Sequence, residues 1–228
     1  MFKLIITLTI AIGIHNLSSA YVLPRDDFEG QIVEHFAYTL KYCKQWNQAY
    51  WVAYEITAEK LKSPVCKRRD FFRPDPMVKG GSAELADYRE SGFDRGHMAP
   101  AAIFRWSKNA MNECFYLSNM SPQHKDCNQK IWNKIEQHVR DLALQHGLVN
   151  VITGPVVMGA VFQQIGPNRV AVPQLYFKVV MDKNLNPIEC FVVPNRGTPY
   201  PSTYFQVPIH FVTALTDLQF PSELTIQN

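Results

Sequence analysis

The stretch that most limits what this chain can become runs from Ser91 to Glu136. It opens on Ser91-Gly92-Phe93-Asp94-Arg95-Gly96-His97, passes through Phe115-Tyr116-Leu117-Ser118-Asn119, and closes on Asn128-Gln129-Lys130-Ile131-Trp132 and Glu136. Gly96 allows a tight turn before the histidine, and Pro100 discourages helix just after it. Cys114–Leu117 reads as a short strand. From Asn128 to Gln145 the apolar residues Ile131, Ile135, Val139 and Leu142 recur on one helical face, and Gly147 is placed to end the helix.

Each polar residue in this stretch has a bland reading and a chemical one. A histidine beside Arg and Asp is more often a structural hydrogen-bonding group than a catalyst. Its pKa near ~6.5 nevertheless leaves much of it neutral at physiological pH and able to take a proton. Arg95 offers a planar fork of donors that suits a phosphate, and Asp94 is placed to hold an arginine or orient the histidine. Asn128 at a helix start is ordinarily a cap. Yet Asn128, Trp132 and Glu136 are successive i, i+4 neighbours, which sets an amide oxygen and a carboxylate along one side of a helix. Magnesium prefers oxygen and keeps several waters, so Asn128 can ligate it while Glu136 accepts hydrogen bonds from those waters. Trp132, between them, is read as packing. Together these groups suit attack of water on a phosphodiester.

The order and spacing of the elements from His97 to Glu136 resemble the DNA/RNA non-specific endonucleases, the ββα-metal nucleases that include endonuclease G. Trp51-Val52-Ala53-Tyr54-Glu55, Phe72-Arg73-Pro74-Asp75-Pro76, Val170–Pro173, Phe177–Val179 and Phe191–Asn195 extend the resemblance from about Tyr38 to Pro221. It implies an α+β fold, a ββα-metal (His-Me finger) unit with a central antiparallel sheet flanked by helices. It implies His97 as general base, Arg95 on the phosphate, Asn119 as an amide that positions base and phosphate, and Asn128 as the sole side-chain ligand of Mg2+, with Mn2+ as a substitute. Glu136 stands behind the metal waters, and a further upstream arginine is drawn from Lys67-Arg68-Arg69, with Arg68 preferred and Arg69 the alternative. The implied partners are DNA and RNA, cut to 5′-phosphate products, and a second copy in a homodimer. Asp94 stands where members with exonuclease preference carry Ser, which leans the chain toward endonuclease action. The rival readings are a catalytically inactive nucleic-acid-binding protein on the same fold and a zinc hydrolase using Cys114, His124 and Cys127. That spacing matches no familiar zinc site, and a fourth ligand is missing.

The remaining sequence sets the frame. Tyr50–Thr57, Asn150–Val157, Arg169–Met181 and Ile188–Val193 read as strands, and Phe211–Leu218 as a short helix. An antiparallel α+β domain over 21–228 follows. The chain has 228 residues, 46% hydrophobic and 19% charged, which is enough for one sizeable core. A formal charge of +3 neither demands nor forbids a polyanion, but Lys60, Lys62, Lys67, Arg68, Arg69 and Arg73 crowd together, with Arg105 and Lys108 further on. Met1-Phe2-Lys3, then an uncharged apolar run and Ser18-Ser19-Ala20, describe a signal peptide over residues 1–20, so the chain is expected to be secreted. The family resemblance points instead to mitochondria, in the intermembrane space. An exported chain with Cys43, Cys66, Cys114, Cys127 and Cys190 has room for at most two disulfides.

Overall fold

The computed structural model describes residues 23–160 and 162–221; the leader expected over residues 1–20 lies outside them. Along the chain run β1 (Gln31–Glu34), β2 (Tyr38–Cys43), β3 (Gln48–Thr57), α1 (Ala58–Lys62), α2 (Leu85–Tyr88), β4 (Asp94–His97), α3 (Lys108–Glu113) and β5 (Met120–Gln123). A π-helical turn over Cys127–Trp132 then leads into α4 (Asn133–His146), followed by β6 (Leu148–Val156), β7 (Gln164–Ile165), β8 (Val170–Ala171), β9 (Leu175–Met181), β10 (Pro187–Pro194) and α5 (Ile209–Thr216). The main sheet has the order β1-β2-β3-β6-β9-β10, antiparallel throughout. This is the expected α+β architecture with a central antiparallel sheet.

The helix α4 lies against β3 and β6 through Ile135, Val139, Leu142 and Ala143, all buried, as the period of the sequence predicts. Gly147 ends it at φ 81°, a conformation that strains any residue with a Cβ. The opposite face of the sheet buries Trp51, Ile152, Phe177 and Val179 under Val212 of α5.

Three expectations are corrected. Gln31–Cys43, read as a polar lead-in, forms two strands, because Tyr38, Leu40 and Tyr42 all go into the core. Cys114–Leu117 is not a strand: Cys114 caps α3, Leu117 opens a single 3-10 turn, and the strand falls on Met120–Gln123. Arg169–Met181 is interrupted, with Val170–Ala171 pairing β7 and only Leu175–Met181 joining the main sheet; Pro173 separates them.

The segment carrying Phe72 and Arg73 has no regular structure, so a buried polar knot fixes it. Asp75 Oδ2 lies 2.9 Å from His35 Nε2 and accepts a 2.5 Å bond from Ser118 Oγ, while the Asp75 backbone N donates to Ser82 Oγ. Glu113 sits 3.6 Å from the other ring nitrogen. Burial pulls the His35 pKa down, but the two carboxylates outweigh it and hold the ring above its ordinary value. Burial likewise pushes Asp75 up, and the bonds to His35 and Ser118 bring it below the usual carboxylate range. His35, raised on folding, stabilises fully below ~6.5 and loses that contribution as pH rises through its folded pKa; Asp75 loses its contribution as pH falls below the ordinary carboxylate range. Urea denaturation should therefore show the parent less stable at about pH 9 than at about pH 6. Asp75→Asn should cost about 3 kcal/mol at the lower pH and flatten that part of the profile.

Candidate active site

β4 and β5 form a two-stranded antiparallel ribbon, with Asp94 opposite Gln123 and His97 opposite Met120. The π-turn and α4 follow β5 after a single residue outside both elements at His124 and the first helical turn at Lys125. Strand, strand and helix thus meet at one corner, with the main sheet beneath. Gly96 sits within β4, and a Cβ there would meet the Gln123 side chain at 1.9 Å. The glycine is required by close packing across the ribbon, not by the tight turn expected from the sequence.

His97 ends β4 and is 8% exposed. Its ring stands edge-on to Phe115 at 5.0 Å and tilted to Phe72 at 5.7 Å. Each of those phenyl rings carries a guanidinium: Arg68 lies 5.3 Å from the Phe115 centroid and Arg95 4.3 Å from that of Phe72. Nε2 of His97 is buried and has no hydrogen-bond partner among the described residues. Burial, then Arg68 and Arg95, push its pKa down to about 3, with Asp70 opposing. The ring is therefore a neutral acceptor across the physiological range, and it is enclosed enough that its orientation is set before any ligand arrives. Arg68 is also paired with Asp70 at 2.6 Å. Arg69 turns instead to Phe71, 5.6 Å away. Of the two arginines weighed from the sequence, only Arg68 reaches the rings around His97.

Asp94, at the other end of β4, accepts bonds from Asn128 Nδ2 (2.9 Å) and Gln129 Nε2 (2.8 Å) on one oxygen. Because a carboxylate only accepts, the Asn128 amide nitrogen must face Asp94 and its oxygen must face away. Asn128 is inside the first helical turn, its backbone N bonded to His124 O at 2.9 Å, so it does not cap the helix. Asp94 thus orients the asparagine, rather than the arginine or histidine considered from the sequence.

Glu136 is half-buried on α4. Burial raises its pKa, against the opposing pull of Lys178, Arg140 and Arg68. The charge of Arg68 therefore bears on both His97 and Glu136. Lys178 is fully buried on β9, 4.4 Å over the Trp132 ring and 3.2 Å from Tyr54 Oη; burial, partly offset by Glu136, lowers its pKa. Trp132 is 1% exposed, as packing requires. Asn119 directly precedes Met120, the residue opposite His97 in the ribbon. Its side chain is fully buried, donates to Ala99 O and Cys114 O, and accepts from Ala99 N, each at 2.9 Å. It clips the backbone two residues beyond His97, so it reaches the base through the main chain and has no exposed atom to offer a phosphate.

The sequence reading missed four contributors. Phe72 and Phe115 wall the histidine, and nothing in their local pattern announces it. Arg140 stands four residues after Glu136 on the same helical face, a legible spacing. Lys178, a charge in the apolar run Tyr176-Phe177-Lys178-Val179-Val180, was a further legible signal.

The donor set suits a hard, hydrated cation: one outward amide oxygen and one carboxylate on the same helix. It does not suit zinc, because no group of three or more His, Cys, Asp or Glu side chains converges among the described residues. Cys43, Cys66, Cys114 and Cys127 carry free thiols, and no bridge joins any pair of them. Burial pushes the Cys114 thiol upward and that of Cys127 up to about 12, leaving both inert and protonated.

The sequence profile of the DNA/RNA non-specific endonucleases matches residues 25–225. The chain belongs to that family. It is 37% identical over 205 residues to human endonuclease G, mitochondrial, covering 83% of this chain and 69% of the relative. The mitochondrial nuclease 1 of Schizosaccharomyces pombe is 34% identical over 215 residues, covering 85% and 66%. A crystal structure of an EndoG/EndoGI complex superposes with a TM-score of 0.75 at 31% identity, over 86% of this chain and 87% of its own. The family makes the chain a nuclease, a hydrolase of phosphodiester bonds in nucleic acid, and its ββα-metal unit implies a divalent ion.

Removing the charge that turns Asn128 should weaken the ion without unfolding the corner. Asp94→Asn is expected to weaken divalent-ion affinity about 10- to 100-fold. Titration calorimetry with magnesium and manganese measures this, beside an unchanged thermal melt.

Proposed function

We propose that the protein is a sugar-non-specific endonuclease that uses magnesium and cuts DNA and RNA to 5′-phosphate ends. The observation that carries this reading is the buried, unpartnered Nε2 of His97, kept neutral between two arginines. Such a nitrogen takes a proton from a water lined up with the phosphorus. Arg68 and Arg95 supply planar donors for the non-bridging oxygens of the phosphate and fix it against the imidazole. Asn119 keeps the main chain after His97 from drifting, and so keeps the base aligned. Asn128, its oxygen turned outward by Asp94, would hold the divalent ion, and the Glu136 carboxylate would accept hydrogen bonds from its hydration shell. When bound, that ion supplies positive charge to the phosphate oxygens and to the departing 3′ oxygen. The protein groups address phosphate rather than base edges, so little sequence preference is expected.

The leader composition argues for export. The mitochondrial names of the relatives and the unbridged, buried thiols favour the alternative, since oxidising compartments promote disulfides. We place the protein in mitochondria on that balance; N-terminal sequencing of the mature protein from fractionated cells tests it, and a chain recovered from the medium overturns it.

Plasmid and RNA should both be cut in magnesium, and neither in EDTA or in zinc alone. His97→Ala should lower kcat about 10²- to 10⁴-fold, with the melting temperature unchanged. A folded His97→Ala protein that cuts plasmid as fast as the parent removes the base assignment.

A further inference from the structure

The basic segment from Lys60 to Arg69 is only partly used by the site, since Arg68 alone reaches His97. The segment's first two charges, Lys60 and Lys62, face a groove of about 510 Å³ between α1, the turn at 102–105 and the exposed face of α4. Lys60, Lys62, Arg105 and Arg140 line it, with Asp141 the one acidic wall. Asp141 is held by Gln137, which donates to it at 3.0 Å, and Lys60 is shared with Glu55 at 3.2 Å. Lys62 and Arg105 are exposed and form no ion pair among those found in the described residues. Arg140 donates to Gln137 Oε1 through Nη2, while its Nη1 is buried without a partner. That nitrogen has no exposed surface, so the cations open to the groove are Lys62 and Arg105 with the half-buried Arg140 side chain behind them.

Both walls of the groove lead along the chain toward residues of the catalytic corner. On one wall, Pro64 lines it and Arg68 stands four residues on, a span of at most about 14 Å of extended chain. Val65 N and Cys66 N both bond to Arg105 O, at 2.8 and 3.0 Å, which ties this wall to the 102–105 turn. On the other wall, Arg140 is one helical turn, about 6 Å, beyond Glu136. A nucleic-acid strand rises ~3.4 Å per nucleotide in a duplex, so the whole distance is about four nucleotides.

We propose that this groove is a second phosphate-binding subsite, which holds the nucleic-acid backbone a few nucleotides from the scissile bond through Lys62, Arg105 and Arg140. The proposal rests on the nuclease reading and deepens it: the enzyme then favours strands long enough to fill both places. Charge decides the occupant. Polyphosphate backbone matches a row of cations above a carboxylate-poor floor, and it contacts that row without base readout.

The test is made on the full chain. Binding of labelled duplex DNA of mixed sequence is measured in EDTA across a potassium chloride series, by anisotropy. Lys62→Glu/Arg105→Glu is compared with the parent and with Lys79→Glu/Lys183→Glu, which carries the same charge change outside the groove. The groove variant should bind about tenfold or more weakly at low salt, and its log–log salt slope should be shallower by roughly 2, about 0.9 per lost phosphate contact. The control pair should keep the parental slope. Lys62→Arg/Arg105→Lys should restore it, and the neutral pair Lys62→Gln/Arg105→Gln serves if the glutamates disturb folding. In cleavage, KM for long duplexes should rise with kcat nearly unchanged, and a dinucleotide should be cut as by the parent. Equal slopes in groove variant, control and parent overturn the subsite, whether or not the parent cuts. A parent that shows the groove-dependent slope yet cuts nothing in magnesium overturns the nuclease reading and leaves the phosphate site standing.

Discussion

One carboxylate joins the two halves of the site. Asp94 belongs to the ribbon that carries His97, and it grips Asn128 and Gln129 at the start of the helix that carries Glu136. Asp94 and His97 are the two ends of a four-residue strand, which separates them by about 10 Å. The bond therefore sets how far the amide oxygen of Asn128 stands from the imidazole. It also decides which atom of that amide faces the cleft, because the carboxylate accepts only from nitrogen. The π-turn at Cys127–Trp132 belongs to the same device. An extra residue in the turn changes the direction of the side chains at the helix start relative to those further on, and such turns occur often where a helix must present a ligand.

Burial shifts two titratable groups of the site in opposite directions. His97 is surrounded by rings and arginines and stays neutral, able to accept a proton. Glu136 is raised by burial, but Lys178, Arg140 and Arg68 oppose that rise. Lys178 is itself placed under Trp132 and beside Tyr54, fully enclosed. Burying an ammonium is costly unless it is paired and hydrogen-bonded, and Tyr54, Thr153 and the nearby carboxylate meet that need. The hydrophobic centre of the sheet is thus wired to the cleft through one lysine.

Much of this was legible before any coordinates. The period of Ile131, Ile135, Val139 and Leu142 and the glycine at 147 define α4, and alternation or continuous β-branched runs reveal β3, β6 and β10. His97, Asn128 and Glu136 were legible as candidates from residue type and spacing; Arg68 bears on His97 and Glu136, while Asn128 is held by Asp94. What was not legible depends on long-range contact. The Asp94–Asn128 bond joins residues 34 apart in sequence. The aromatic walls at Phe72 and Phe115 come from a loop and a turn with no period. Asn119 has the same side chain whether it faces a phosphate or clips Ala99 and Cys114, and only its three backbone bonds decide. β1 escaped notice because it is a short, half-exposed edge strand, and β2 because Thr39 and Lys41 break up the apolar residues of a strand that is nearly all buried.

The proposed mechanism stands on the Asn128 oxygen being turned away from Asp94, free to meet an ion. Diffraction from crystals soaked in manganese, with anomalous scattering measured at the metal edge, locates the ion directly. The account predicts a peak about 2.1 Å from Asn128 Oδ1, with Glu136 separated from it by a water. A peak bound directly by other side chains, with Asn128 outside its coordination shell, contradicts it.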